Sequence, residues 1–138
     1  MVSTYTREIA TKGQGDVKDI TSLVAGAVRE SGLSVGIATV FVSGSTAGVT
    51  TIEFEPGAVS DLNRVFEALA PRDADYRHHL RWGDDNGSSH VRAALLGPSL
   101  TVPFRDRALV VGTWQQIVVA EFDTRPRTRE IVVQVIGE

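Results

Sequence analysis

The chain has 138 residues, 42% of them hydrophobic and 22% charged, with a net charge of −3 and a sequence pI near 5.6. That length and balance fit one globular domain, residues 1–138, with a sizeable core. The mild acidity gives no footing for nucleic-acid binding, the lack of cysteine excludes disulfides and thiolate metal sites, and no run reaches the roughly 20 apolar residues of a spanning helix. The start of the chain alternates polar and apolar residues and shows no secretory leader. The expectation is a cytoplasmic protein without nucleic-acid or membrane partners.

In chain order, STYTREIAT (3–11) reads as a strand and KGQGD as a turn. DITSLVAGAVRESG (19–32) predicts a helix, because Ile20, Leu23, Val24, Ala27 and Val28 recur on one helical face. Asp19 suits its start and Gly32 its end. VGIATVFV (35–42) is nearly continuous and β-branched, which predicts a strand buried on both faces. SGSTAG is a loop of small residues, followed by the strand VTTIEFE, which Pro56 and Gly57 break. A second helix is expected from about 58 to 70, with Leu62, Val65, Phe66 and Leu69 inward and Pro71 stopping it. Residues 71–87 read as a long irregular loop, and a short helix covers about 89–96 before Gly97-Pro98. The strands SLTVPF, ALVVGTW, QIVVAEFD and REIVVQVIG follow with short, antiparallel connections. This order predicts an α+β fold: a mostly antiparallel β-sheet with two main helices and one short helix packed on it.

Five segments could carry chemistry. His78, His79 and His90, with Asp84 and Asp85, are chemically suited to a mixed imidazole–carboxylate metal site, although the spacing matches no strong zinc pattern. A solvated loop is the competing reading. Asn86 and Gly87 lead into a helix start at Ser88 and Ser89 whose backbone N–H groups could cradle an anion; a plain serine cap explains the same residues. The small residues around Ser45 and Thr46 let a backbone approach a ligand closely, or form a tight turn. In GTWQQ, alternation turns Gln115 or Gln116 inward, toward a pocket or a subunit interface. Arg125, Arg127 and Arg129 recur with period two, either to hold a phosphate or to pair with acids such as Glu121 or Glu130.

The string GSTAGVTTIE, then YRHH, DDNGSSHVRAALLGPSLTVPF, GTWQQI, EFD, RPRTR and a terminal GE resembles the YjbQ-like family over nearly the whole chain. Some members of that family are described as secondary thiamine-phosphate synthases. The resemblance implies an α+β subunit that assembles as a homotrimer. It implies a site near the histidine-bearing loop, with His78 and His90 as metal ligands for a divalent ion such as zinc or magnesium, or a bound phosphate or sulfate. His78, Asn86 and His90 are then the candidate catalytic residues. Ser45, Thr46, Asn86, Gly87, Ser88, Ser89, Gln115 and Arg125 are the candidate contacts to a phosphorylated small-molecule substrate. A non-catalytic trimeric module for a metal or anion is the alternative. The chain departs from the family pattern at Gly44 and Ser88, where relatives often carry His, at His79, where Asp is common, and at Arg107, where Gly is common. Ser88 is accordingly expected to be a lost metal ligand, and Asp84 and Asp85 to lie too far away or too exposed to replace it unless the loop folds back.

Overall fold

The computed structural model describes the backbone of all 138 residues and every side chain except that of Trp82. The elements are β1 (Val2–Ala10), β2 (Val17–Asp19), α1 (Thr21–Ser31), β3 (Val35–Val42), β4 (Ala47–Ile52), α2 (Pro56–Leu69), α3 (Arg77–Trp82), α4 (Gly87–Leu96), β5 (Ser99–Arg105), β6 (Ala108–Leu109), β7 (Gln116–Glu121) and β8 (Thr128–Gly137). They form two antiparallel sheets, β1-β8-β3-β5-β6 and β2-β7-β4. The fold is thus α+β as expected, with two sheets instead of one and four helices instead of three.

Strand β7 explains this layering. Its run Ile117, Val118, Val119, Ala120 is apolar at every position, so both of its faces must be covered. Ile117 and Val119 join α1 and the inner residues of β3, β5 and β8 in one core, among them Val24, Val28, Val40, Phe104 and Val133. Val118 and Ala120 join Phe66 of α2, Ala93 of α4 and Phe122 in a second core. No described helix is long and apolar enough to cross a membrane.

Several expectations are corrected. Strand β3 is not buried on both faces: Val35, Ile37 and Phe41 are exposed, because β3 lies in a sheet covered on one side only. Helix α2 begins at Pro56, a residue suited to the first helical position, and the Glu55 carboxylate accepts the N–H groups of Gly57 and Ala58. It buries Phe66 and packs Val59 and Leu62 inward, whereas Val65 and Leu69 face out. The expected loop 71–87 contains α3. Helix α1 matches its pattern: Asp19 accepts the Thr21 N–H at 3.0 Å, and Gly32 closes it at φ 73°. The turn at Asp106 and Arg107 keeps positive φ at both residues, 52° and 63°, a conformation that glycine adopts without the strain a side chain brings.

One polar group stands inside these layers. Glu121, 1% exposed, ends β7, and Arg129, 3% exposed, begins the inward register of β8. Arg129 grips it with Nε on Oε1 at 2.7 Å and Nη2 on Oε2 at 2.5 Å. The Thr11 hydroxyl and the Asp123 N–H donate to the same carboxylate at 2.7 and 3.0 Å. Arg129 Nη2 also donates to Thr46 Oγ1 at 2.7 Å. Of the expected arginine row, only Arg125 and Arg127 are exposed; Arg129 takes the alternative of pairing with Glu121. Removing one member of such a pair leaves an uncompensated buried charge, so Arg129→Ala should cost about 3–5 kcal/mol in a urea titration. The double replacement Arg129→Met with Glu121→Leu should recover most of that loss, and a single-variant cost below ~1 kcal/mol would contradict the assignment.

Candidate functional site

Helix α3 ends at Gly83, whose φ of 66° reverses the chain so that residues 84–86 fold back along the helix. That return brings Asp84 Oδ1 to 3.0 Å from Nδ1 of His78. Asp84 was expected out of reach unless the loop folds back, and the reversal at Gly83 supplies that fold-back. With its amide oxygen and nitrogen exchanged, the orientation its neighbours favour, Asn86 sets its nitrogen 2.9 Å from Asp84 Oδ1, 3.2 Å from Oδ2 and 3.3 Å from His78 Nδ1. On the other side of His78 lies His90 of α4, the ring centroids 4.3 Å apart and the planes tilted by 39°. His78, Asp84, Asn86 and His90 thus form one cluster at the junction of α3 and α4.

The electrostatics separate the two imidazoles. Burial first, and then the neighbouring His78, push the His90 imidazole below its ordinary pKa, against the opposing pull of Asp84 and Asp123. The charged form of the His90 imidazole is therefore disfavoured. Asp123 lies beneath. Burial raises its carboxyl, but the Thr46 hydroxyl at 3.0 Å, the Arg127 guanidinium at 3.6 Å and the N–H groups of Thr124 and Arg125 outweigh burial and hold it below the usual carboxylate range.

The start of α4 is closed. The Gly87 N–H donates to Nε2 of His79 at 3.2 Å, and the His79 ring packs edge-on against Tyr76 at 5.6 Å. Glycine is required at 87, since a Cβ would come within 2.4 Å of Tyr76 Cβ. Ser89 and His90 direct their N–H groups at the Asn86 carbonyl, at 3.0 and 3.4 Å. Gly87, Ser88 and Ser89 are all buried, so the anion role expected of this turn finds the Gly87 donor already taken. Ser88 lies one turn before Arg92, which binds the Ala70 carbonyl at 3.0 Å and Glu67 at 2.5 Å. Side chains at 88 and 90 leave the helix on different faces, so helical geometry does not set Ser88 beside His90 as a lost ligand. The Ser88 and Ser89 hydroxyls meet no hydrogen-bond partner among the described residues.

The small-residue loop approaches from β3. Gly44 and Ser45 border a pocket of about 190 Å³ with Ala93, Ala94 and Pro98, and Ala94 lies one turn beyond His90. Gly44 adopts φ 123°, and a Cβ there would lie 2.7 Å from Arg129 Nη1, so a side chain at position 44 would strain the backbone and displace the Arg129 guanidinium. Thr46 is buried and bonded to Asp123 and Arg129. Two predicted site residues lie elsewhere. Gln115 bonds Gly112 and Thr51, at the end of β4 remote from Thr46. Arg125 sends its side chain outward and offers only its N–H to Asp123.

The donor set does not fit a closed zinc or magnesium site. Among the described residues no three His, Asp or Glu side chains converge on one point. His78 Nδ1 already faces Asp84, which leaves two imidazole nitrogens and no third ligand. The sequence named Glu121 as a partner for an arginine but gave no sign of Asp123 as a site support. The usable signal was an acid closing the apolar run QIVVA, since a buried carboxylate must have partners.

A family model described as UPF0047 protein YjbQ-like matches residues 5–138. A UPF0047 protein of Methanothermobacter thermautotrophicus is 41% identical over 136 residues, covering 97% of this chain and 93% of the relative. The UPF0047 protein YugU of Bacillus subtilis is 31% identical, covering 96% and 98%. Among solved structures, a YbjQ-like protein of unknown function from Sulfolobus solfataricus superposes with a TM-score of 0.90 at 32% identity over 100% of both chains. A hypothetical protein of Aeropyrum pernix superposes at 0.89 with 28% identity, covering 99% of each.

Proposed function

The chain belongs to the YjbQ-like UPF0047 family, and on that footing we propose that it is an enzyme acting on a small phosphorylated or heterocyclic molecule, with His78 as its proton-transfer group. The observation that supports this reading is the 3.0 Å contact between His78 Nδ1 and Asp84. A carboxylate on Nδ1 holds the proton there and leaves Nε2 to take up or give up a proton, the arrangement a general acid–base group needs. Asn86 locks Asp84 by its amide, and His90, its charged form disfavoured, offers a second ring nitrogen to a substrate. Thiamine-phosphate synthesis fits this site as a weak, secondary reaction. Joining a pyrimidine methyl diphosphate to a thiazole phosphate breaks a C–O bond, forms a C–N bond and releases diphosphate, whose departure is favoured by cationic groups. Arg127 and Arg129 both face carboxylates of the protein, so they offer that anion little. A non-catalytic metal or anion module is the less favoured alternative, given the two-imidazole donor set and the occupied start of α4.

With those two substrates, release of diphosphate should be slow, and Asp84→Asn should lower kcat about a hundredfold with KM little changed, because His78, which in this reaction hands a proton to the departing diphosphate as general acid, loses its orientation. An unchanged kcat in Asp84→Asn would contradict the role given to His78.

We also propose a homotrimer. The outer face of the five-stranded sheet carries aligned rows Val2, Ile136, Ile37, Pro103 and Thr4, Gln134, Thr39, Thr101, then Val132, Phe41, Ser99, without a charge among them. Val2, Ile37, Phe41 and Ile136 are each at least 41% exposed, and large apolar side chains exposed on uncharged rows of a sheet favour coverage by another subunit. Light scattering should return three times the 14.9 kDa chain mass, and a monomer mass across the micromolar range would contradict it.

A further inference from the structure

A groove of about 390 Å³ opens between the two sheets, at the end of β4 remote from Thr46 and the imidazole pair. Residues of β4 and of β5 line it from opposite sides. On β4, the Val49 N–H bonds the Gly97 carbonyl at 3.0 Å, away from β7, so two residues on Thr51 turns its N–H and C=O to the same side. On β5, the Pro103 carbonyl accepts the Val110 N–H at 2.9 Å, away from β3, so Thr101 and Ser99 also turn their backbone groups outward. Among the described residues none of these groups of Thr51, Ser99 and Thr101 meets a backbone partner on that side. Pro103, which has no N–H to offer, occupies an outward position where none is needed.

Gln115 closes the wide end. Its Oε1 accepts the Gly112 N–H at 3.0 Å and its Nε2 donates to Thr51 Oγ1 at 3.2 Å, which fixes the amide and leaves one N–H free. Leu96 and Val110 are among the apolar walls, and no lining residue carries a charge.

We propose that this groove is a second binding site, for a neutral nitrogen heterocycle of nucleobase size. Paired N–H and C=O groups on opposed strand edges complement the ring nitrogens, N–H groups and carbonyls along such a molecule's rim. The apolar walls take its faces. The volume lies in the range of small-molecule sites, about 300–1,000 Å³. An anion or a cation would lose its hydration here and meet no counter-charge, so the site selects against phosphorylated forms. The site is separate from the His78 cluster and does not depend on its chemistry.

The test is amide NMR of the full chain with adenine, cytosine and uracil, and with adenosine against its 5′-monophosphate. Expected are saturable shifts at Thr51, Ser99, Thr101 and the Gln115 side-chain amide, and weaker binding of the monophosphate than of the nucleoside. Gln115→Ala, a surface change that leaves both ladders intact, should weaken binding about fivefold through loss of one hydrogen bond. The proposal is overturned if no base moves these amides at about 10 mM, which would place any affinity below the useful millimolar range. It is equally overturned if the shifts fall only at His78 and His90, or if the monophosphate binds more tightly.

Discussion

The bidentate grip of Arg129 on Glu121 is the constraint on which the rest of the site depends. Two charges taken from water are costly, and they are tolerated only where geometry is good and the remaining lone pairs find donors. Here Thr11, Thr46 and the Asp123 backbone supply those partners. The same contacts tie the end of β1, the loop before β4 and the turn after β7 to one point. Asp123 is thereby fixed with its carboxylate between Thr46 and Arg127, where His90 feels its charge.

From that anchor the geometry above it follows. Arg129 Nη1 would lie 2.7 Å from a Cβ at Gly44, so the loop passes close to the guanidinium and a side chain there would displace it. Helix α4 then packs through Ala93 and Leu96 on β4 and β7, which sets His90 over Asp123. The last adjustment is made by α3, whose two adjacent histidines serve opposite ends: His79 caps α4 and His78 meets Asp84 and His90. One helical turn thus closes a backbone donor and builds a reactive pair.

The sequence was most informative where periodicity met a single environment. Helix α1 and the strands β5, β7 and β8 followed from spacing and end signals, whereas of the expected strand ALVVGTW only Ala108–Leu109 pairs. It was least informative where a residue's neighbours come from distant elements. Val35, Ile37 and Phe41 look like core, and only the sheet order shows that their side of β3 lies outside. Val65 and Leu69 extend an apolar stripe wider than the core that α2 meets. The short α3 escaped because RHHLRW has no apolar period, and Asp84 could be placed only conditionally because the reversal at Gly83 is a matter of φ, not of spacing. Gln115 was read as a binding residue, but the sequence could not say that it lies away from the histidines. The family resemblance supplied His78 and His90; the structure supplied Asp84 as the partner of one and burial as the control on the other.

The most direct test of this account is a nitrogen-15 NMR titration of the histidine side chains. His78 should show the Nδ1–H tautomer with Nε2 unprotonated once neutral. His90 should release its proton at a pH below the ordinary histidine value of 6.5, because burial and the adjacent ring disfavour its charged form. In that window the unfolded chain binds a proton that the folded chain does not, so stability falls as pH drops below 6.5, a dependence that His90→Gln removes. An Nε2–H tautomer at His78, together with a His90 that titrates at or above 6.5, would contradict the paired-imidazole site.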